Sequence, residues 1–449
     1  MTYTIFIFRR DFRTYDNLGL YYAMKKCDKI IPCFFFNPLQ IDEKKNKYFS
    51  HHSVQFLCES LSELSKEIPL HIFHGNDIEI LNELSKHIDI SDIIFNMDYT
   101  PFAKKRDKKI EQWCQKQKIQ CSKIEDYLLK PIGTFNKDNG APYTIYTPFK
   151  NNVFKHIIPK PQKQTLKNLI FHKDLESLKT YQPNMDYYIH NPNNLVLGGR
   201  KHGLKQLKKS NQLNYEKNRN TLFIETSQLS SYIKYGCLSI REVYHYFKET
   251  ELKSQVIWRE FYFYINYYFP DLLDKSKNFQ SKYDSIQWVS NKKHLELWKQ
   301  GETGYPIVDA CMKQLNHSGY MHNRGRLISS NFMNRILGLD WRHGELYFAQ
   351  QLIDYDPCVN NGNWQWIASV GVDPKPYFQR LFNPWLQSEK FDKDALYIKK
   401  WLPQLKDIPP KHLHQWEKYY QLYDINYPIP IISYQQGRKR SVEMYRSVL

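Results

Sequence analysis

Residues 3–8, Tyr-Thr-Ile-Phe-Ile-Phe, form an apolar, aromatic run that ends in the charged turn Arg9-Arg10-Asp11. That pattern predicts a first β-strand. Working outward, runs of the same kind at 30–36, 70–73 and 93–95 alternate with stretches of helical spacing near 54–66, 76–87 and 101–118. The alternation predicts a mostly parallel, doubly wound α/β sheet over residues 1–128. Such sheets often hold a nucleotide at the carboxyl ends of their strands, yet no GxGxxG follows the first strand, so the fold alone names no ligand.

Between 129 and 200 the periodicity fades and Pro, Asn and Lys accumulate, as expected of a linker that wraps a surface. The stretch ends in Gly198-Gly199-Arg-Lys-His-Gly203-Leu204. It has the outline of a phosphate loop, but Leu204 stands where Lys is required, so a plain loop into a helix is expected. From 201 to 449 strand signals vanish, and helical spacing at 240–247, 254–264 and 305–315 predicts an all-α domain with many buried aromatics.

Of the 449 residues, 64 are Lys or Arg and 46 are Asp or Glu, a net charge of +18, and 16% are aromatic. Positive charge with many rings suits a folded protein that meets an anionic partner and stacks on bases or an aromatic cofactor. The eight cysteines include no CxxC pair, so neither zinc nor an iron–sulfur cluster is expected. With no leader pattern and no apolar stretch of membrane-spanning length, a soluble intracellular protein is expected, its compartment left open.

Four segments of the helical half concentrate polar and aromatic groups beyond what packing demands. In 255–262, spacing puts Gln255, Trp258 and Arg259 on one face. In 321–327 it does so for Asn323, Arg326 and Leu327 and turns Arg324 aside. The run DYDPCVNNGNWQW (354–366) mixes acids, amides and two indoles. Thr226-Ser-Gln-Leu-Ser230 opens a helix with hydroxyls and backbone N–H groups, which suits phosphate.

These motifs, with FRRDFRTYDNLGL (8–20), TSQLSSYIKYGCLS (226–239), GETGYPIVDACMKQLNHSGYMHNRGRL (301–327) and FNPWLQSEKFD (382–392), are similar to those of the cryptochrome/photolyase family, most like its class I cyclobutane pyrimidine dimer DNA photolyases. The resemblance implies a photolyase fold and a folded FAD, active when reduced and anionic. It places Tyr215, Thr226, Ser227, Gln228, Leu229 and Ser230 on the phosphate side, and Trp258, Asn323, Arg326, Asp354, Asp356 and Asn360 around the rest. An electron chain of Trp364, Trp341 and Trp288 is implied, and UV-damaged DNA as partner. The flipped lesion would meet Gln255, Trp258, Arg259, Asn323, Leu327 and Trp366, with Arg324 and Arg380 on flanking phosphates. A monomer with no membrane association is expected, and a second antenna chromophore (deazaflavin, flavin or folate) stays open.

The chain departs from the pattern in places. Gln255 stands where class I dimer enzymes usually carry Glu, Leu327 where Met is usual, and Glu225 and Gln228 where Gly and Arg are usual. Asn96 to Ala103 lacks the Glu that helps hold folate. Two alternatives accompany dimer repair. One is repair of (6-4) photoproducts, against which the absence of a histidine pair at 323 and 327 argues. The other is a cryptochrome-type photoreceptor, against which Asn360 argues.

Overall fold

The structure, a computed structural model, describes residues 2–210, 214–372 and 377–449. Contacts divide the chain into two compact units: Met1–His190 with Val196–Gln212 and Ser227–Pro270, and Asn191–Leu195 with Leu213–Thr226 and Asp271–Leu449.

In the first unit five strands, β1 (Thr2–Phe8), β2 (Ile30–Phe36), β3 (His71–His74), β4 (Asp89–Asn96) and β5 (Gln120–Ile124), pair in parallel in the order β3-β2-β1-β4-β5. The order reverses between β1 and β4, as in doubly wound sheets. Ile5, Phe6, Ile7 and Phe8 are buried, which is why β1 reads as a continuous apolar run and not as an alternation. Helices α1 (Leu18–Lys26), α2 (His51–Glu67), α3 (Asp77–His87) and α4 (Pro101–Gln117) make the crossovers. Each starts at a residue whose side chain accepts a backbone N–H of the first turn: Asn17, Ser50, Asn76 and Thr100. Strand β5 goes beyond the expected set. Its Gln120, Ser122 and Lys123 give an edge strand with no apolar signature.

Residues 129–200 carry the short helix α5 (Tyr146–Val153), a 3-10 turn at Lys173–Ser177, and two isolated bridges, Ile30 with Leu169 and Phe73 with Tyr181. Gly198 and Gly199 lead into helix α6 (Arg200–Ser210). The N–H groups of Gly198, Gly199 and Lys201 donate to Glu59 (2.6 Å), Ser60 (2.9 Å) and Glu63 (2.8 Å) of α2. The amides that would cradle a phosphate are thus already taken by protein groups. Helix α7 (Thr250–Tyr268) also belongs to this unit.

Beneath the end of β1 lies a charged cluster that water does not reach. Arg241 pairs with Asp16 (2.9 Å) and Asp126 (2.6 Å), and Arg13 pairs with Asp126; all four side chains are 3% exposed or less. Two cations face two anions, so none is left uncompensated. Burial pushes the Asp126 carboxyl up, but Arg13 and Arg241 outweigh it and hold it below its ordinary value.

The second unit is helical, and no strand follows Ile124 among the described residues. Its main elements are α8 (Pro306–Ser318), α9 (Asn323–Asn331), α10 (Trp341–Gln351) and α11 (Pro357–Ile367), around a core that includes Trp298, Phe332, Trp341 and Trp416. Helix α11 packs on both α9 and α10, which brings the polar segments 321–327 and 354–366 together.

Removing one member of the buried charge cluster strands its partner. Arg241→Met should lower the unfolding free energy by about 3–5 kcal/mol, read from urea denaturation. Because the folded-state pKa of Asp126 is depressed, its contribution is complete above about pH 5 and is lost on acidification below its ordinary value of 3.8. Wild-type stability should therefore fall there more steeply than that of the variant.

Candidate functional site

In the second unit, His322 caps α9 by accepting the Arg324 N–H at its Nδ1 (3.0 Å). Burial pulls the ring pKa down to about 4, helped by Arg324 and Arg326, so the ring is neutral near pH 7. Its buried Nε2 has no partner among the described residues. With Nδ1 accepting, Nε2 carries the proton and is a donor in reserve. Beyond the cap, Asn323 is exposed and Arg326 and Leu327 are half-buried on the face their spacing predicts. Arg324 turns aside, donating to Asn220 (2.6 Å) and lying over Phe391 (4.2 Å).

Arg326 donates to both oxygens of Asp354 (2.9 and 3.1 Å) and to the Met321 carbonyl (2.9 Å). Burial would lower its pKa, but the charge of Asp354 outweighs that and keeps the guanidinium cationic. The Tyr320 ring lies 5.5 Å from this guanidinium, and its hydroxyl is 3.2 Å from Thr226 Oγ1. Thr226, Tyr320, Arg326 and Asp354 therefore form one continuous polar chain. Tyr320 escaped the sequence reading because an isolated Tyr carries no pattern.

Asp356 caps α11, accepting from the N–H groups of Cys358 (3.0 Å) and Val359 (3.3 Å). One turn on, Asn360 Nδ2 donates to the carbonyl (3.1 Å) and Oε1 (3.0 Å) of Glu345 on α10. That fixes the amide and reserves Oδ1 as its acceptor. Glu345 is a second residue that sequence reasoning missed, although it stands four positions after Trp341.

Trp364 is buried edge-to-face against Phe348 (4.9 Å) and Trp298 (6.2 Å). It comes so close to α10 that a Cβ on Gly344 would lie 2.1 Å from the indole. Trp341 is buried, donates Nε1–H to Asn278 (3.0 Å), and has the Arg342 guanidinium 4.8 Å from its ring. Trp288 is half-buried, edge-on to Tyr445 (6.1 Å). Trp366 has one face under the Arg380 guanidinium (3.9 Å), and Arg380 Nη1 donates to the Trp366 carbonyl (2.7 Å). Arg380 is only 3% exposed. Tyr215 is buried at the head of the single turn Tyr215–Asn218.

The remaining residues lie in the first unit. Gln228 adopts a left-handed backbone (φ 50°), and its Oε1 and the Ser227 carbonyl accept from Gln206 of α6 (3.3 and 3.0 Å). The helix opened by Ser230 is only the five residues Ser230–Lys234, with apolar Leu229 at its N-cap. It offers less to an anion than the hydroxyl-rich opening expected from the sequence.

On α7, Gln255 donates Nε2–H to Glu251 Oε1 (3.1 Å). Trp258 is stacked on Tyr146 of α5, with centroids 3.5 Å apart and planes 9° apart. The Arg259 guanidinium lies over Tyr127 (4.1 Å) and over Phe263 (4.7 Å), one turn on along the same helix, and pairs with Glu260 (3.2 Å). Burial raises the Glu260 carboxyl to about 7 even against that pairing.

The residues present suit FAD. A cationic guanidinium braced by a carboxylate, an exposed amide at Asn323, an acceptor at Asn360 and a buried unpartnered donor at His322 are the groups a polar tricyclic ligand requires. Comparison with known proteins agrees. Residues 252–447 match the FAD binding domain of DNA photolyase, and residues 4–166 match the DNA photolyase model. The chain is 32% identical to the deoxyribodipyrimidine photo-lyase of Escherichia coli strain K12, over 100% of this chain and 99% of that one. It is 33% identical to the enzyme of the same name from Buchnera aphidicola, over 98% and 96%. An archaeal photolyase from Sulfolobus tokodaii with two FAD molecules superposes with a TM-score of 0.87 at 36% identity, covering 99% of this chain and 100% of that one. A class III photolyase from Agrobacterium tumefaciens does so with 0.90 at 28% identity, covering 100% and 98%.

Gly344→Ala tests the closest contact of this site. Helix propensity alone would favour Ala by about 1 kcal/mol, but the added methyl collides with Trp364. A net loss of about 1–3 kcal/mol in stability and a changed near-ultraviolet circular dichroism of the indole are expected.

Proposed function

The chain belongs to the DNA photolyase family, and from that premise we propose that it is a deoxyribodipyrimidine photo-lyase that splits cyclobutane pyrimidine dimers in UV-damaged DNA with light. The observation that carries the reading is the α9 face, where exposed Asn323 stands beside an Arg326 locked to Asp354, within the segment matched by the FAD-binding domain. When bound, reduced FAD supplies a light-driven electron that opens the cyclobutane ring and is then returned.

The chain's own residues hold, orient and shield. Arg326 sets a fixed positive charge, and Asp354 keeps it in place, which favours an anionic ring system beside it. Asn360 offers Oδ1 as acceptor because Glu345 occupies its nitrogen. Tyr215 and Thr226 to Ser230 would serve the phosphates, with the Thr226 hydroxyl already oriented by Tyr320. Trp258 and Trp366 each have one face covered, by Tyr146 and by Arg380, which holds the rings flat for a flipped base. Trp364, Trp341 and Trp288 would pass electrons inward from solvent. Asn323, Leu327, Gln255 and Arg259 complete the lesion set, with Arg324 and Arg380 serving the flanking phosphates.

We assign antenna binding to 1–128, a linker to 129–200 and catalysis to 201–449, in a monomer acting in a DNA-containing compartment inside the cell. No helix among the described residues is long and apolar enough to cross a membrane. A second chromophore, whether deazaflavin, flavin or folate, fits this assignment, and the Sulfolobus relative carries two FAD molecules.

The test is anaerobic reduction, illumination with an oligonucleotide carrying one thymine dimer or one (6-4) product, and chromatography. Restored thymines from the dimer in light, none in the dark and no change in the (6-4) product are expected. Intact dimers beside a normally photoreducing flavin would transfer the protein to the photoreceptors. Restoration of only the (6-4) product would overturn the lesion assignment.

A further inference from the structure

Glu251, Gln255 and Trp258 stand at i, i+4 and i+7 on α7, along one stripe, and each is half-buried. A carboxylate only accepts, so of the two ends of the Gln255 amide only Nε2 can face Glu251, and it does so at 3.1 Å. The amide is therefore not free to turn over. Its second N–H and its Oε1 are left as a donor and an acceptor side by side in a fixed order. The next group on the stripe is equally set: Trp258 lies flat on Tyr146, whose hydroxyl donates to the Ser254 carbonyl (2.7 Å).

We propose that Glu251 is a specificity-determining positioning residue, holding the Gln255 amide in one orientation toward the imide edge of a damaged thymine. That edge is an N–H flanked by two carbonyl oxygens, so the order that Glu251 imposes decides which carbonyl meets the remaining amide N–H while Oε1 takes the imide N–H. Turned over against a lesion held in the same seat, the amide would set acceptor against acceptor and donor against donor, which costs more than a lost bond. The proposal rests on the dimer-repair reading above. It also accounts for a position where an acid is usual: the negative charge is kept one helical turn earlier and reaches the lesion through a neutral amide.

The experiment is equilibrium binding in the dark by the FAD-loaded protein to a thymine-dimer duplex and to the same duplex undamaged. It compares wild type with Glu251→Ala, Glu251→Gln, Gln255→Ala and the Glu251→Ala/Gln255→Ala pair. Glu251→Ala should weaken dimer binding about five- to tenfold. Undamaged duplex should bind unchanged or slightly tighter, since a negative charge has gone. Glu251→Gln, which can still accept, should lose less. In the Gln255→Ala background the Glu251→Ala effect should shrink to within about twofold, since the two act as a unit. Dimer affinity within twofold of wild type in Glu251→Ala, or an undiminished effect without Gln255, overturns the proposal. Wild-type protein that fails to prefer the dimer duplex at all is a different result, and it counts against the repair reading itself.

Discussion

Everything in the first unit hangs on keeping four charges dry. Arg13 and Asp16 leave β1, Asp126 follows β5, and Arg241 comes from more than a hundred residues later, yet the four meet at 3% exposure or less. Ion pairs of this kind add little net stability, because desolvation consumes most of the attraction. What they add is uniqueness. Any other arrangement of these chain segments leaves a bare charge in an apolar interior, which costs far more than a misplaced Leu. Beside them Asn96 donates to Asp11 (2.6 Å) and Asn17 (2.8 Å), so the crevice where the strand order reverses is also tied by polar groups.

A common device runs through the candidate site residues. Each is anchored at one end by a neighbour. Asn360 is held through its nitrogen by Glu345, Gln255 through its nitrogen by Glu251, Arg326 by Asp354, Trp258 on one face by Tyr146 and Trp366 on one face by Arg380. Anchoring of this kind removes rotamer freedom before any ligand arrives, so less ordering entropy is lost on binding. It also decides which chemical edge is offered.

The anchors are also what the sequence conceals. Strands β1 to β4 and their helices could be read because burial on both faces or one stripe imposes a local period. Edge strand β5, half polar, imposes none. The residues 129–200 look shapeless because their order comes from contacts with β2 and β3 and not from any repeat. Motifs located the α9 and α11 residues, and helical arithmetic grouped Asn323, Arg326 and Leu327 correctly. Glu345, Tyr320 and Glu251 were invisible because their importance arises from a neighbour's hydrogen bond, which needs three dimensions to be seen.

The distance in sequence between Asp16 and Arg241, 225 residues, has a consequence for how the molecule is made. During synthesis the five strands emerge well before the guanidinium that neutralises Asp16 and Asp126. A nascent chain stopped after β5 holds the two carboxylates against Arg13 alone, and must keep that region hydrated. The first unit therefore closes only when the ribosome has passed residue 241, so its completion waits on a segment from the far side of the linker. What looks in the finished molecule like an N-terminal module is thus finished only well after its own sheet has been made.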